Sequence, residues 1–351
     1  MLDSRKERIL RAIVEEYIET CEPVGSKCLH SKYGIEFSTA TIRNDMAEME
    51  EMGYLVQPHT SAGRIPSDKA YRMYVNDIMG SRVPAEKVLS EEDIECIKSA
   101  LHEKVEEAGD MLKKVADIVS SVTDYTSFAI TPSRRKSVVS ALQVIPAQPG
   151  MCLVMVVTES GATNSTVVSV PQDVSREYII SFSEFLNRRL VGYTLESITY
   201  DLCESLAMDF ELDTDVLMPV VNGIRKCIRQ MDDPHIVYDG TNKIFKHPEF
   251  NDISRAQQFM ELMESNRLLT AGTMEEDYAE GDDKYLIRIG SENSSDDLRG
   301  LSMLASHCVV GDDLLGDIGI IGPTRMDYAK VIACLNYIKK FIDEELKGEL
   351  Q

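Results

Sequence analysis

Residues 38–66 constrain the fold and function of this chain more than any other stretch. Ser38 is a helix-capping residue, and Ile42, Met46 and Met49 follow it at i, i+4 and i+7, one buried stripe of a helix. The opposite side carries Ala40, Arg43, Asn44 and Ala47. Alanines there let a partner approach the backbone closely. Leu55-Val56 reads as a short strand, Gln57 to Gly63 as a polar turn, and Arg64-Ile65 as a return strand ended by Pro66. A helix followed by a tight hairpin mounts polar side chains rigidly, as reading base edges requires.

The residues upstream complete a helix-turn-helix. Ile9, Leu10, Ile13, Val14, Tyr17 and Ile18 form one helical stripe, opened by a capping box of Ser4 and Glu7 and closed before Pro23. Gly25-Ser26 starts a second short helix that ends at Gly34. Only a few residues separate it from the helix at Ser38, and the hairpin beyond is a wing. On this frame Arg43 is positioned to fork onto a guanine edge and Asn44 onto an adenine edge. Ser38, Thr39 and Thr41, at the helix start, suit phosphate contacts. Arg64, at the wing, suits a phosphate or a narrow minor groove. The plain alternatives are an amphipathic helix with a solvated face and a connector with one solvated arginine.

Charge is distributed to match. The chain of 351 residues has a net charge of −22. Residues 1–82 hold 11 Lys+Arg against 13 Asp+Glu, a net of −2, so the remainder carries −20. A nearly neutral, mixed segment can gather its bases on one face. The acidic remainder repels phosphate and holds non-specific DNA affinity low, or serves solubility alone. The longest apolar run, Met151 to Val157, is too short to span a bilayer, and the N-terminus has no apolar signal core, so a cytoplasmic protein with no membrane partner is expected. Eight scattered cysteines without C-x-x-C spacing read as small buried hydrophobes.

A chain of this length needs several cores. A fourth helix from Ser67 carries Tyr71, Tyr74, Val75 and Ile78 on one face, and Gly80 to Pro84 breaks the pattern. Residues 90–122 are periodic as a long helical region. Tyr125–Ile130, Val138–Ile145, Met151–Thr158 and Thr166–Val170 then read as strands, and Ser175–Leu190 as helix. Strands return at Tyr285–Ile289, Met303–Val310 and Asp317–Ile321, before a closing helix at Tyr328–Leu346. Between the strand groups lies a mainly helical region with one strand-like pair, Ile236–Tyr238 and Lys243–Lys246, and an acidic loop at Met274–Asp283. The expected divisions are 1–82, 83–171, 172–283 and 284–351, a sheet domain interrupted by a mostly helical insert.

Chemistry is harder to place. The sequence has no P-loop, no H-E-x-x-H, no EF-hand loop and no G-x-S-x-G. Gly316, Gly319 and Gly322 are spaced wrongly for a dinucleotide fingerprint and read as a glycine-bounded strand and turn. No cofactor and no metal is expected. An enzyme with an N-terminal interaction module remains as an alternative, since triads assemble in space, but no residue carries it.

Several blocks together resemble one bacterial family. Ser38 to Met46, Thr60-Ser61-Ala62-Gly63-Arg64-Ile65-Pro66, Tyr71-Arg72-Met73-Tyr74-Val75 and Gly319-Ile320-Ile321-Gly322-Pro323-Thr324-Arg325-Met326-Asp327-Tyr328 are similar to the heat-inducible transcription repressor family HrcA. Pro23-Val24-Gly25-Ser26 and Lys32-Tyr33-Gly34 fit the same pattern, while Ala70 stands where the family usually has glycine. The resemblance implies an α+β multidomain chain: an N-terminal winged helix-turn-helix, then a GAF-like antiparallel-sheet domain interrupted by an inserted dimerisation domain. It further implies a homodimer on an inverted-repeat operator in double-stranded DNA, repression of chaperone operons that is lost on heat stress, and maintenance by a GroEL-type chaperonin. A metabolite-sensing regulator, with an effector bound in the GAF-like domain, is the alternative within binding proteins.

Overall fold

The computed structural model describes residues 2–59, 62–81, 84–101, 108–131, 134–209, 214–232, 236–265, 285–293, 295–310 and 313–349. The expected acidic loop at 274–283 lies outside these residues. Contacts divide the chain into two units, 1–131 with 236–351, and 132–235.

The first unit begins with α1 (Ser4–Thr20), α2 (Ser26–Lys32), α3 (Thr39–Glu51), the hairpin β1 (Leu55–Val56) and β2 (Ile65–Pro66), and α4 (Asp68–Ser81). The N-cap of α1 is Asp3, not Ser4: its carboxylate accepts from the Lys6 amide at 2.8 Å. A carboxylate at the positive end of the helix dipole displaces the expected Ser4–Glu7 box. The helical region after residue 90 comprises α5 (Glu91–Leu101) and α6 (Ala108–Thr123).

Next comes a five-stranded antiparallel sheet. Its strands are β3 (Thr126–Ile130), β7 (Ile236–Asp239), β8 (Tyr285–Ile289), β9 (Leu301–Val310) and β10 (Asp313–Pro323), in the order β7-β3-β10-β9-β8. Both faces are covered, so alternate residues enter different cores. Phe128 and Ile130 face a cluster with Phe259, Leu262 and Met263, while Ala129, Ile318 and Ile320 face α6 and the C-terminal helix, Tyr328–Glu349. Gly316, Gly319 and Gly322 all lie in β10. Gly319 pairs with Phe128, and a Cβ there would meet the Phe128 ring at 2.2 Å, so the missing side chain makes room for that ring.

The expected strand pair around residues 236–246 forms only in part. Ile236–Asp239 is β7, paired with β3, but Thr241–Lys246 is a 3-10 helix. Gly240 turns the chain at φ +64, and the next residues bury Ile244 against the sheet instead of returning as a strand.

The second unit is a three-stranded antiparallel sheet, β4 (Val139–Gln148), β5 (Met151–Thr158) and β6 (Thr163–Ser169), with α7 (Arg176–Leu190), α8 (Tyr200–Asp209) and α9 (Thr214–Asp232). One sheet face packs Leu142, Val144, Val154 and Val156 against Phe182, Leu186, Val220 and Ile224. Contacts thus group residues 132–235 as one unit, where the expected division set 172–283 apart. The three strands after residue 131 pair with one another and share the core of α7 and α9, not that of the larger sheet. Sequence order alone placed them with β3.

Candidate nucleic-acid interface

The interface is built from α1 upward. Ile9, Leu10 and Ile13 of α1 are fully buried with Leu29 of α2 and Ile42 and Met49 of α3. His30 Nδ1 lies 3.1 Å from the carbonyls of both Ile35 and Phe37. Both partners are acceptors, so this nitrogen carries the proton and closes the turn before α3. Ser38 caps α3, its Oγ accepting from the Thr41 amide at 3.1 Å. Asp45, only 2% exposed, is held by Arg5 at 2.9 Å and raises the Arg5 guanidinium pKa. That ion pair pins α3 to the start of α1. Residues 42, 45, 46 and 49 form an i, i+3, i+4, i+7 set, so the pattern itself pointed Asp45 inward, and sequence reasoning overlooked it.

Arg43, Asn44 and Ser38 are exposed, and Thr39 and Thr41 are half-buried beside them. Arg43 and Met46 of α3, Lys27 of α2, and Gln57, Gly63 and Arg64 of the hairpin line one open groove of about 470 Å³. Asn44 faces solvent outside this lining. The fold therefore gathers Arg43 and Arg64 into one groove and sets Asn44 beside it. It adds Lys27 and Gln57, which the sequence analysis did not single out. A lysine one residue after a helix-opening serine was the available signal.

Arg64 is not a free wing cation. Its backbone exchanges two 2.9 Å hydrogen bonds with Val24, and its guanidinium pairs with Glu50 of α3 at 2.8 Å. The side chain is 15% exposed. Arg64 thus buttresses the hairpin against α3, because Glu50 lies one turn past Met46 on the side facing the hairpin. Gly63 makes that close approach possible: a Cβ there would sit 2.3 Å from the Val24 carbonyl oxygen.

Among the described residues this head shares its core with the sheet body. Tyr71, Tyr74 and Val75 of α4 join one cluster with Tyr285, Ile289, Tyr328 and Val331 of the sheet body. Arg72 pairs with Glu292 and donates to the Ile287 carbonyl at 2.7 Å. Asp68 accepts from the Ser291 amide at 2.8 Å. Arg325 pairs with Glu249 and donates to the Ile18 carbonyl of α1 at 3.2 Å. A boundary at residue 82 therefore divides the chain but not the packing.

Comparison with known proteins places this architecture. The model of the HrcA protein C-terminal domain matches residues 109–332. The heat-inducible transcription repressor HrcA of Acetivibrio thermocellus is 40% identical over 346 residues, covering 99% of this chain and 97% of that protein. The chain belongs to the HrcA family. The Ruminiclostridium cellulolyticum HrcA repressor is 35% identical, covering 99% of this chain and 98% of its own. A crystal structure of a hypothetical protein at 2.2 Å resolution shares the fold over 99% of both chains, with TM-score 0.63 and 23% identity. As an HrcA protein, the chain is a transcription repressor of heat-shock genes and not an enzyme. Among the described residues no helix is long and apolar enough to cross a membrane, and no cluster of three His, Cys, Asp or Glu could hold a metal ion.

Proposed function

We propose that this HrcA repressor acts in the cytoplasm as a homodimer that presents two winged helices to an inverted-repeat operator in duplex DNA. Two-fold protein symmetry matches two-fold operator symmetry, with half-sites near whole helical turns apart. The observation that carries the reading is the exposed Arg43, set on a helix locked from behind by Asp45 and facing a groove shared with the hairpin. Arg43 and Asn44 read bases, while Ser38, Thr39 and Thr41 hold the backbone. Occupancy of the promoter region then blocks transcription.

The sheet body is a GAF-like domain and residues 132–235 are the dimerising insert. Support comes from the outer face of its three-stranded sheet. Ile145, Leu153 and Val167 form one cross-strand row there, and Met151, Ile145 and Val167 are exposed, Val167 by 54%. A solvent-facing apolar row on a sheet suits a second copy of the same chain. A GroEL-type chaperonin keeps the repressor active, and heat stress diverts it to other clients.

Footprinting on a duplex with the inverted repeat, at physiological salt, tests the DNA reading. Arg43→Ala is expected to cost about 1–3 kcal/mol and to relax preference at one base position. Equal losses on specific and random DNA would remove Arg43 as a reader.

A further inference from the structure

Besides Arg43, the groove contains two cations of different kinds. Lys27 is exposed on α2 and lines the groove, with no ion pair to any described residue. Arg64 is turned inward: its guanidinium holds Glu50, its Nε is buried without a hydrogen-bond partner, and its main chain is stitched to Val24. A guanidinium already committed to a carboxylate, with 15% of its side chain exposed, is poorly placed to neutralise a phosphate. An exposed ammonium on a flexible stem is well placed.

We propose that Arg64 and Glu50 form a latch that sets the hairpin against α3, and that Lys27 makes the phosphate contact at this groove. Arg64 is then a positioning residue. The inference rests on the operator reading for its DNA arm, while the latch itself is a property of the free protein. Three links hold the hairpin at its base: the Val24–Arg64 bridge, the Gly63 approach and the Arg64–Glu50 pair. Of these three, only the last runs to the helix that carries Arg43, adding a side-chain tie to the packing of Leu55 on that helix. Loosening it changes where the hairpin stands relative to Arg43 and leaves the phosphate count unchanged.

Salt dependence separates the roles, because each neutralised phosphate adds about 0.9 to the slope of log affinity against log salt. Lys27→Ala is expected to flatten that slope by roughly 0.9 and to weaken specific and random duplexes alike. Arg64→Ala and Glu50→Gln are each expected to weaken the specific duplex by roughly 3–10-fold with the slope unchanged. In the free full-length protein, both should also speed amide hydrogen exchange over residues 55–66 relative to α3. If Arg64 is instead a phosphate contact for which Glu50 competes, Glu50→Gln tightens binding and Arg64→Ala flattens the slope. Either result overturns the proposal. If the wild-type chain does not prefer the inverted repeat, the operator reading and the Lys27 role fall, and exchange alone decides the latch: unchanged hairpin exchange in both variants overturns it.

Discussion

Two tyrosines meet where the head joins the body, and their hydroxyls differ in a way that fixes the sign of two substitutions. Tyr71 of α4 is 2% exposed, its ring 6.1 Å from that of Tyr328, and its hydroxyl has no hydrogen-bond partner. Burial holds its pKa well above the ordinary phenol value, so the group stays neutral. Tyr328 is fully buried, but its hydroxyl lies 2.6 Å from Ser302 Oγ and donates to the Thr324 carbonyl at 2.7 Å. A buried hydroxyl without a partner costs about 1–3 kcal/mol, offset in part by the small void its removal leaves. Tyr71→Phe should therefore stabilise by about 1 kcal/mol and raise the melting temperature by roughly 2–4 °C. Tyr328→Phe strips two partners and should cost about 2 kcal/mol, lowering it by roughly 4–8 °C. Circular dichroism melts measure the first quantity, and fluorescence anisotropy of a labelled operator against temperature measures release. Both should shift together in each variant, since head and body share one core. A lower melting temperature for Tyr71→Phe would mean the hydroxyl has a partner. A release temperature that stays fixed while the melt moves would mean the head unfolds independently.

Other expectations follow from single contacts. Gly63→Ala drives a Cβ into the Val24 backbone and should cost about 1–3 kcal/mol, read as faster hydrogen exchange across the hairpin and weaker operator binding. Burial and the nearby Arg325 hold His247 below the ordinary imidazole value while it stacks on Tyr125. The unfolded chain then takes up a proton that the folded chain resists. Stability is full above about pH 6.5 and falls below it, and His247→Phe should flatten that fall in melts between about pH 7.5 and 5.5. Val167→Glu, on the exposed sheet row, should convert dimer to monomer in light scattering with the circular dichroism spectrum unchanged.

The sequence carried the head well because local signals decide it. Ser38 caps α3, Ile42, Met46 and Met49 are buried, and the hairpin forms, though its return strand is Ile65–Pro66, with Pro66 paired to Leu55 rather than ending an Arg64–Ile65 strand. Each feature depends on residues within a few positions of one another. Signals failed where distant partners compete. Strand propensity marked β4, β5 and β6 correctly but could not say that they pair together, since alternation fixes a face and not a neighbour. The Arg64–Glu50 pair was hidden for the same reason: Glu50 reads as a solvated acid until the hairpin folds back on α3. The Arg325 contacts needed α1 and the C-terminal signature in one place.

Those long-range contacts bear on how temperature reaches the DNA. A winged helix with its own core would survive melting of the body and go on binding each half-site. Here Tyr71, Tyr74 and Val75 share a core with Tyr285, Tyr328 and Val331, Arg72 of α4 finds its carboxylate on Glu292 of the body, and Arg325 of the body donates to the Ile18 carbonyl of α1. Losing the body exposes that apolar seam, leaves Arg72 unpaired and removes the Arg325 contact to α1, so the head is destabilised by the event that disrupts the sheet. In the proposed dimer the effect is doubled, because binding at one half-site would raise the effective concentration at the other and both would be lost together. Marginal stability of one shared core is therefore sufficient to make repression fall over a narrow temperature range, with no dedicated sensing element.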